Sequence, residues 1–322
     1  MATYIIFTKL IFFDKVQFPH GILIMGKLYR GSVVSEFVAL TEKELDWLAK
    51  EIKKYRNKFI KTPEQYLKQL KDKKIVDIKG IKKDVSNGIE LLREGCWQLY
   101  LEDEAVFNKN FIAHLVQARE LPNSLLKEYI KKSDIKGSKN FDDDLCSLIG
   151  NYTGSIMPYL YALDLSTTNS RRSRSGKTFE AIIKFLIKDV YGYPFDDQST
   201  VAEGFFQEQG IGKIVDGIIP GKDSYLNNRA KTLIITMKTS LRERWQEVAE
   251  EMRRTNIPQI YLLTVDKSLT ASKLKTMAHQ NICVVNYDSV KEQYKSHSNV
   301  ISFTEFFNHE IPHCLEYWEA QA

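Results

Sequence analysis

The fold of this chain is decided by the stretch Leu-Ile-Ile-Thr-Met-Lys at positions 233–238, an apolar run that ends in a lysine. Such a run predicts a buried strand whose charged last residue lies at an edge of a sheet. Upstream, the apolar pair Ile214-Val215 is followed by Asp216, within a strand predicted from Lys213 to Ile219. Because neighbouring strands can end at the same sheet edge, we expect Asp216 and Lys238 to lie close together.

Strands and helices alternate outward from this stretch. Downstream, the sequence predicts a helix at Ser240–Arg254, a strand at Ile260–Val265, a helix at Ala271–His279, a strand at Ile282–Asn286 and further helix from Thr304. Upstream, Ser175–Val190 carries an apolar stripe at helical spacing. This alternation predicts an α/β fold with a sheet that is covered by helices on both faces.

The first half of the chain is predicted to be mainly helical. Residues 41–75 and 103–132 are rich in lysine, glutamate and leucine at helical spacing, and Thr41 with Glu44 matches a capping box. Residues 133–144 are polar and predict a loop. We therefore predict a mainly helical region at residues 1–150 and a second region at residues 151–322. Residues 1–24 are interpreted either as a strand-like extension or as an artefact of the chosen start site.

The composition is that of an ordinary globular protein with a mild positive excess. The 322 residues are 43% hydrophobic and carry a formal net charge of +5, which permits nucleic-acid binding without requiring it. The four cysteines form no CxxC pair, so a zinc site or a disulfide framework is not indicated. The apolar N-terminal run is too short to span a bilayer and lacks the features of a signal peptide, so we predict a cytoplasmic protein.

A lysine and a carboxylate at one sheet edge suit phosphodiester hydrolysis, because carboxylates hold Mg²⁺ and a lysine favours attack on a phosphate. The pair resembles the site of PD-(D/E)XK nucleases, in which a second acid lies two residues before the lysine, but Thr236 stands at that position here. The following helix offers four glutamates, of which Glu251 lies just beside the apolar stripe and is best placed to replace the acid. Glu180 borders the apolar stripe of its own helix and is a further candidate.

Two stretches carry a resemblance to a known family. The segment Ser-Arg-Arg-Ser-Arg-Ser-Gly-Lys-Thr-Phe-Glu at 170–180 resembles the block that ends in the first catalytic glutamate of EcoRII-, SsoII- and NgoMIV-like restriction endonucleases. The segment Met237–Trp245 resembles their lysine strand and recognition helix. The resemblance covers residues 165–255. It implies a type II restriction endonuclease, with a PD-(D/E)XK catalytic core at 151–322 built as a mixed sheet flanked by helices.

The resemblance also implies the members of the active site. Glu180, Asp216, Lys238 and Glu251 would be catalytic, with Mg²⁺ as the cofactor and the three acids as its ligands. Glu251 would supply the acid that is missing at Thr236. The chain departs from the family pattern at one point, where a valine replaces the usual proline before the aspartate.

The DNA contacts follow from the same resemblance. Arg242, Glu243 and Arg244 would read a palindromic site with a CC…GG core, of the CCGG or CCNGG type. Chemistry supports this reading, since arginine pairs with guanine through two hydrogen bonds and glutamate accepts one from cytosine. Some relatives flip a central base onto a tryptophan near an arginine. Arg93 and Trp97, spaced four residues apart, are the candidates for that role.

Each assignment has a simpler structural alternative. Glu251 can form an ion pair with Arg254, Glu180 can pair with a nearby lysine, and the triplet at 242–244 can be a solvated helix start. The basic residues of the 170–180 segment either contact phosphates or belong to a flexible surface loop: Arg171, Arg172, Arg174 and Lys177. The stretch around Trp97 also fits a core strand.

The implied partners are double-stranded DNA, a second copy of the chain and a DNA methyltransferase that protects the host. A homodimer matches a palindromic site, and a tetramer is also possible. The region 1–150 would supply dimer or DNA contacts. Two alternatives remain open from the sequence: a DNA-repair nuclease that reads structure, and a sequence-specific DNA-binding protein that does not cut.

Overall fold

Six strands form one mixed sheet whose spatial order follows the sequence in the computed structural model, which describes residues 40–132, 139–201, 204–242 and 244–321. The strands are β1 (Asp196–Asp197), β2 (Gly217–Ile219), β3 (Leu233–Lys238), β4 (Ile260–Thr264), β5 (Ile282–Asn286) and β6 (Val300–Ser302). The pairs from β1 to β3 are antiparallel, and the pairs from β3 to β6 are parallel. The predicted fold class, a mixed sheet flanked by helices with a mainly helical first region, is confirmed.

One group of helices precedes the sheet in the sequence, and a second group lies between and after its strands. The first group is α1 (Glu42–Phe59), α2 (Pro63–Asp72), α3 (Ile78–Lys83), α4 (Val85–Ala118), α5 (Glu120–Lys132), α6 (Phe141–Ser155) and α7 (Met157–Phe185). The second group is α8 (Phe205–Glu208), α9 (Lys222–Asn228), α10 (Arg244–Thr255), α11 (Ala271–His279), α12 (Asp288–Gln293), α13 (Phe303–Glu305) and α14 (Ile311–Glu319). No helix within these described ranges is long and apolar enough to cross a membrane.

The predicted capping box at Thr41 and Glu44 is present and starts α1. The helical prediction for residues 41–75 was too long, because Thr62 and Pro63 divide it into two helices. Thr62 forms a second capping box with Gln65, and proline is well placed in the first helical turn, where its missing N–H is not needed.

The alternative that placed Trp97 in a core strand is wrong, because Trp97 lies in the middle of α4. The predicted helix at 103–132 is the end of α4 followed by α5. In the predicted loop at 133–144, residues 133–138 lie outside the described residues. Helix α6 already begins at Phe141, with three aspartates in its first turn, a placement that suits the positive end of a helix dipole.

The helix predicted at Ser175–Val190 is the end of a much longer one. Helix α7 begins at Met157, and a π-helical turn, Leu186–Tyr191, continues it. The apolar stripe extends back through Tyr159 and Leu163, which are buried. The basic segment 170–180 is therefore helical, and the alternative of a flexible loop is wrong.

The predicted strand from Lys213 to Ile219 was too long at its start, because residues 212–214 form a turn and β2 begins at Gly217. The apolar side chains Ile214 and Val215, at the end of this turn, are buried. The sequence of the turn therefore has the same apolar pattern as a buried strand. A Cβ atom at Gly217 would come within 2.0 Å of the Phe195 ring, so only glycine fits there. The predicted helix at Ser240–Arg254 begins four residues later, at Arg244.

The larger hydrophobic core surrounds the sheet and includes residues of α2 to α4, of α7 and of the strands β2 to β6. A second core joins α1, α4 and α7 around Phe107 and Phe111. Helix α14 packs near β2 and β3, where the Trp318 Nε1–H donates to the carbonyl oxygen of Lys231 at 2.9 Å. The division at residue 150 stays a prediction.

Candidate active site

Asp216 and Lys238 meet at the edge of the sheet, as predicted. The Asp216 N–H donates to the carbonyl oxygen of Ile235 at 2.8 Å, which continues the β2–β3 pairing by one residue. Lys238 Nζ lies 3.5 Å from Asp216 Oδ2, and each of the two side chains is 21% exposed. The same Oδ2 accepts a hydrogen bond from the Met237 N–H at 2.6 Å. The carboxylate is thus held by the backbone of β3 while the site stays open to solvent.

Thr236 occupies the position of the missing acid. Its side chain is fully buried, and its hydroxyl donates to Asp216 Oδ2 at 3.3 Å. A neutral hydroxyl here supports the aspartate without adding a second negative charge. Thr236 is therefore a support for Asp216 and cannot itself act as an acid at this position.

Glu180 lies on α7, which packs against β3. Burial raises the pKa of Glu180, the charge of Asp216 raises it further, and Lys184, Lys238 and Lys177 act in the opposite direction. The carboxylate therefore shares its surroundings with both members of the sheet-edge pair. Within the described part of the chain, no hydrogen bond or ion pair engages it, although it is half-buried.

The two carboxylates fit a magnesium ion. Mg²⁺ is commonly held by one or two carboxylates together with water and substrate phosphate oxygens. The repulsion that raises the pKa of Glu180 beside Asp216 is the repulsion that a divalent cation between them relieves. The described residues contain no group of three or more acidic, histidine or cysteine side chains arranged to hold a metal, so the pair would rely on further oxygen ligands.

Glu251 forms the ion pair that was its structural alternative. Arg254 Nε donates to Glu251 Oε2 at 2.9 Å, and a second guanidinium nitrogen donates to the same oxygen. This hydrogen bonding lowers the pKa of Glu251, and Lys213 contributes to the same effect. Arg254 also donates to the carbonyl oxygen of Gly210 at 2.6 Å. Glu251 thus faces the turn that leads to Asp216, and its role as a metal ligand stays a prediction.

The predicted base-reading triplet begins immediately after Leu241. Arg242 is exposed and has a φ of 27°, a left-handed conformation that is unusual for an arginine. Glu243 lies outside the described residues. Helix α10 starts at Arg244. The triplet therefore lies at the turn into a helix, close in sequence to Lys238, and its role in base reading stays a prediction.

Arg93 and Trp97 line a groove of about 570 Å³ between α4 and α7. Trp97 is 38% exposed and stacks on Tyr100 at a centroid distance of 5.3 Å. The Arg93 guanidinium donates to the Tyr287 hydroxyl at 2.9 Å. The groove therefore has an aromatic wall and a fixed cation.

The four basic residues of the 170–180 segment have different environments. Arg171 pairs with Glu104, whose side chain is only 4% exposed. Arg174 donates to the carbonyl oxygen of Lys61 and lies over the ring of Tyr100. Arg172 and Lys177 are exposed. The first two thus hold α7 against neighbouring elements and line the groove, whereas the last two face solvent.

Sequence reasoning missed a second cluster beside Glu180. Buried Asp197 lies 3.6 Å from Lys184 Nζ and 3.2 Å from Lys188 Nζ. Glu180, Lys184 and Lys188 are spaced four residues apart, which places them on one helical face. That spacing was the available signal, but the partner aspartate comes from a two-residue strand that has no sequence signature.

Residues 151–307 match the family model described as EcoRII C terminal. The type II restriction enzyme SsoII of Shigella sonnei is 34% identical over 221 residues, which are 68% of this chain and 66% of that enzyme. The chain thus spans about two thirds of the length of this relative.

Solved structures show the same likeness. Metal-depleted Ecl18kI, in complex with uncleaved, modified DNA, superposes with a TM-score of 0.68 and 30% identity over 87% of this chain and 86% of that one. The restriction endonuclease PspGI, in a complex with substrate DNA, superposes with a TM-score of 0.56 over 80% of this chain and 94% of that one. At 17% identity, PspGI shows a common fold alone. The sequence matches and the Ecl18kI structure go further: this chain belongs to the type II restriction endonuclease family that includes SsoII and Ecl18kI.

Proposed function

We propose that this chain is a type II restriction endonuclease that hydrolyses phosphodiester bonds of double-stranded DNA with Mg²⁺, at a palindromic site with a CC…GG core. The observation that carries the proposal is the cluster of Asp216, Lys238 and Glu180 at one sheet edge. Family membership supports the reaction class, and the oxygen ligands support the choice of metal.

In this proposal the residues have separate tasks. Asp216 and Glu180 would hold the cation, which would supply charge neutralisation at the phosphate and an activated water. The backbone of β3 keeps Asp216 in place through the Met237 N–H. Lys238 presents its ammonium group beside the carboxylate and stabilises the negative charge that develops on the attacked phosphate.

Glu251 is proposed as a further acid of the site. In the described structure it is bound to Arg254, so its recruitment requires that ion pair to open. DNA offers a way to do this, because a phosphate competes with the carboxylate for the guanidinium group. Arg254 is 55% exposed and is accessible to such a competitor.

The sequence is proposed to be read by Arg242, Glu243 and Arg244 in the major groove. Arg242 is exposed at the turn before α10, four residues after Lys238. Reading and cutting would therefore be coupled through a short segment of backbone. Each good two-bonded base contact contributes about 1–3 kcal/mol of discrimination.

The groove beside Trp97 is proposed to receive an unstacked base, with Arg93 at its edge. Stacking on an aromatic ring is worth about 1–3 kcal/mol per base, and the groove has the exposed ring and the volume for it. Arg172 and Lys177 are proposed to contact backbone phosphates, because both are exposed. Arg174, which lines the groove, is proposed to contact DNA there.

We propose that two copies act together in the cytoplasm, each cutting one strand, because a two-fold protein matches a two-fold DNA sequence. A tetramer would satisfy the same symmetry. A methyltransferase with the same sequence specificity is the expected cellular partner, since an unprotected chromosome would be cut.

The test is cleavage of a randomised duplex DNA library with Mg²⁺, followed by sequencing of the cut ends. Wild-type protein and Lys238→Ala are compared, with omission of Mg²⁺ as a second negative control. We expect cuts at discrete sites that contain CC and GG. We expect the omission of metal to abolish them and Lys238→Ala to lower their rate by roughly 10²–10³-fold.

Two other results would overturn the proposal in different ways. Cutting without sequence preference would support a nuclease that reads DNA structure. Sequence-specific binding without cutting, at every Mg²⁺ concentration, would support a DNA-binding protein without catalytic activity.

A further inference from the structure

Asp266 lies just beyond the sheet edge that carries the active site. Strand β4 ends at Thr264, which is paired in parallel register with Lys238. Asp266 follows two residues later and is half-buried. Asp266 thus lies beside the end of β3, where a carboxylate would repel the phosphates of a bound DNA. Its contacts within the protein therefore need an explanation.

The two oxygens of the Asp266 carboxylate have different partners. Oδ1 accepts the backbone N–H of Ser268 at 2.9 Å and the Ser268 hydroxyl, which forms a local turn. Oδ2 accepts the backbone N–H of Leu241 at 2.8 Å, across 25 residues of sequence. The local turn does not require this second bond, so the bond to Leu241 needs its own explanation.

Asp266 is itself held firmly in place. Its N–H donates to the buried hydroxyl of Thr264 at 3.1 Å, and its carbonyl oxygen accepts from the buried side chain of Asn286 at 2.8 Å. Burial acts to raise the pKa of Asp266, but hydrogen bonds from Ser268 and Leu241 outweigh it and lower the pKa. The group is therefore an ionised, immobile acceptor that joins the ends of β4 and β5 to the segment after β3.

Leu241 is the last fixed point before the proposed base-reading triplet. Its side chain is 1% exposed, so it is anchored in the core while its N–H is anchored by Asp266. The next residue, Arg242, has the φ of 27°, which a non-glycine residue keeps only where its surroundings hold it. Fixing Leu241 therefore fixes the point from which the triplet leaves the sheet.

We infer that Asp266 is a positioning residue for sequence readout, which sets the point where the segment that begins at Arg242 leaves the sheet edge, by holding the Leu241 N–H. This inference rests on the proposed base-reading function of the triplet. Asp266 touches neither DNA nor metal in this role. It acts through the backbone, so its loss should change which sequences are cut more than whether cutting occurs.

The test uses Asp266→Asn, because asparagine has the same shape but offers an N–H₂ group in place of one acceptor oxygen. The matched control is Ser268→Ala, which removes one hydrogen bond to the same carboxylate and leaves the Leu241 bond intact. Full-length variants are incubated with the randomised duplex library and Mg²⁺. The readout is the ratio of cleavage at the preferred site to cleavage at sites that differ by one base pair.

We expect this ratio to fall roughly tenfold in Asp266→Asn and to stay at the wild-type value in Ser268→Ala. Urea unfolding of each variant shows whether the fold is retained. If Asp266→Asn does not fold, Asp266→Glu takes its place, since it retains the charge but displaces the oxygens by one methylene group. The same fall in the ratio is then expected.

The parallel variant Arg242→Ala separates failure of this inference from failure of the proposed function. Loss of discrimination in Arg242→Ala with wild-type discrimination in the folded Asp266 variant would refute the positioning role and leave base reading intact. Wild-type discrimination in Arg242→Ala would remove the base-reading role of that arginine, and the inference with it. A uniform loss of rate at all sequences in the Asp266 variant would assign it a structural role only.

Discussion

Two aspartates, Asp197 and Asp216, each lie beside lysine side chains, but they differ in exposure and in the number of their partners. Asp197 has a side chain that is 2% exposed, with lysines at 3.2 and 3.6 Å and hydrogen bonds from Ser199 and Thr200. Asp216 is 21% exposed, and its single lysine, Lys238, is at 3.5 Å. The first carboxylate is saturated by its partners, whereas the second retains capacity for a further ligand.

The electrostatics show the same contrast. Burial acts to raise the pKa of Asp197, but Ser199 and the two lysines outweigh it and lower the pKa to about 2. At the other cluster, the charge of Asp216 adds to burial and raises the pKa of Glu180. A saturated carboxylate stabilises a fold, and an unsaturated pair of carboxylates stores repulsion that a bound cation relieves. Proximity of an acid to a lysine therefore does not by itself mark a catalytic site, because a metal site also requires carboxylate oxygens with unused binding capacity.

The largest expected effect is a loss of cleavage rate when the lysine beside Asp216 is removed, compared with removal of a lysine beside Asp197. Lys238→Ala should lower the cleavage rate by roughly 10²–10³-fold, because a charge that stabilises the transition state is lost. Lys188→Ala is the matched control, since Asp197 retains Lys184. Single-turnover cleavage should show a loss of rate only in Lys238→Ala. Urea unfolding should show that both variants are folded. An equal loss of rate in both would break the comparison.

Glu180→Gln should lower cleavage on the order of 100-fold, because one proposed metal ligand loses its charge. Without metal, the variant should be at least as stable as the wild type, since the repulsion with Asp216 is removed. Thermal unfolding at increasing Mg²⁺ measures this directly. We expect Mg²⁺ to stabilise the wild type and to have little effect on the variant. Equal stabilisation of both would exclude Glu180 as a ligand.

Asp197→Asn should lower the free energy of unfolding by about 2 kcal/mol, which corresponds to the shift of its pKa from 3.8 to about 2. The two lysines would then lie side by side without a counter-charge. Urea unfolding at neutral pH tests this. A loss of cleavage without a loss of stability would move Asp197 from the structural cluster to the active site.

The smallest effect concerns acid stability. Because the folded-state pKa of Asp197 lies below its unfolded value, its contribution is fully present above the unfolded pKa and is lost as the pH falls from about 4 to about 2. The stability of Asp197→Asn should therefore depend less on pH in that range than the stability of the wild type. Urea midpoints measured between pH 2 and pH 5 give the comparison, and parallel curves would contradict it.

The sequence predicted the sheet-edge pair because strand endings have a clear pattern. The apolar run before Lys238 and the strands at 260–264 and 282–286 were found with correct or nearly correct limits. The segment before Asp216 was misread as a strand because a buried turn and a buried strand have the same apolar composition. That error did not affect the site, since backbone pairing continues through Asp216.

Other features could not be predicted because they depend on partners that are distant in the sequence. The strand β1, with two residues, is defined only by its pairing with β2, so Asp197 gave no signal. The ion pair of Glu251 with Arg254 was foreseen as an alternative, but sequence spacing alone cannot decide between a local partner and a metal. Asp266 was missed because its partner, the Leu241 N–H, is a backbone group.

The packing of α14 has a consequence for the order in which the enzyme is made. Strands β2 and β3 carry Asp216 and Lys238, but the helix that packs near them, through Cys314 and Trp318, comes much later in the chain. During synthesis Asp216 and Lys238 therefore leave the ribosome before the helix that packs near their strands. We expect a nascent chain to lack a finished sheet edge around Asp216 and Lys238 until α14 has emerged and packed near their strands.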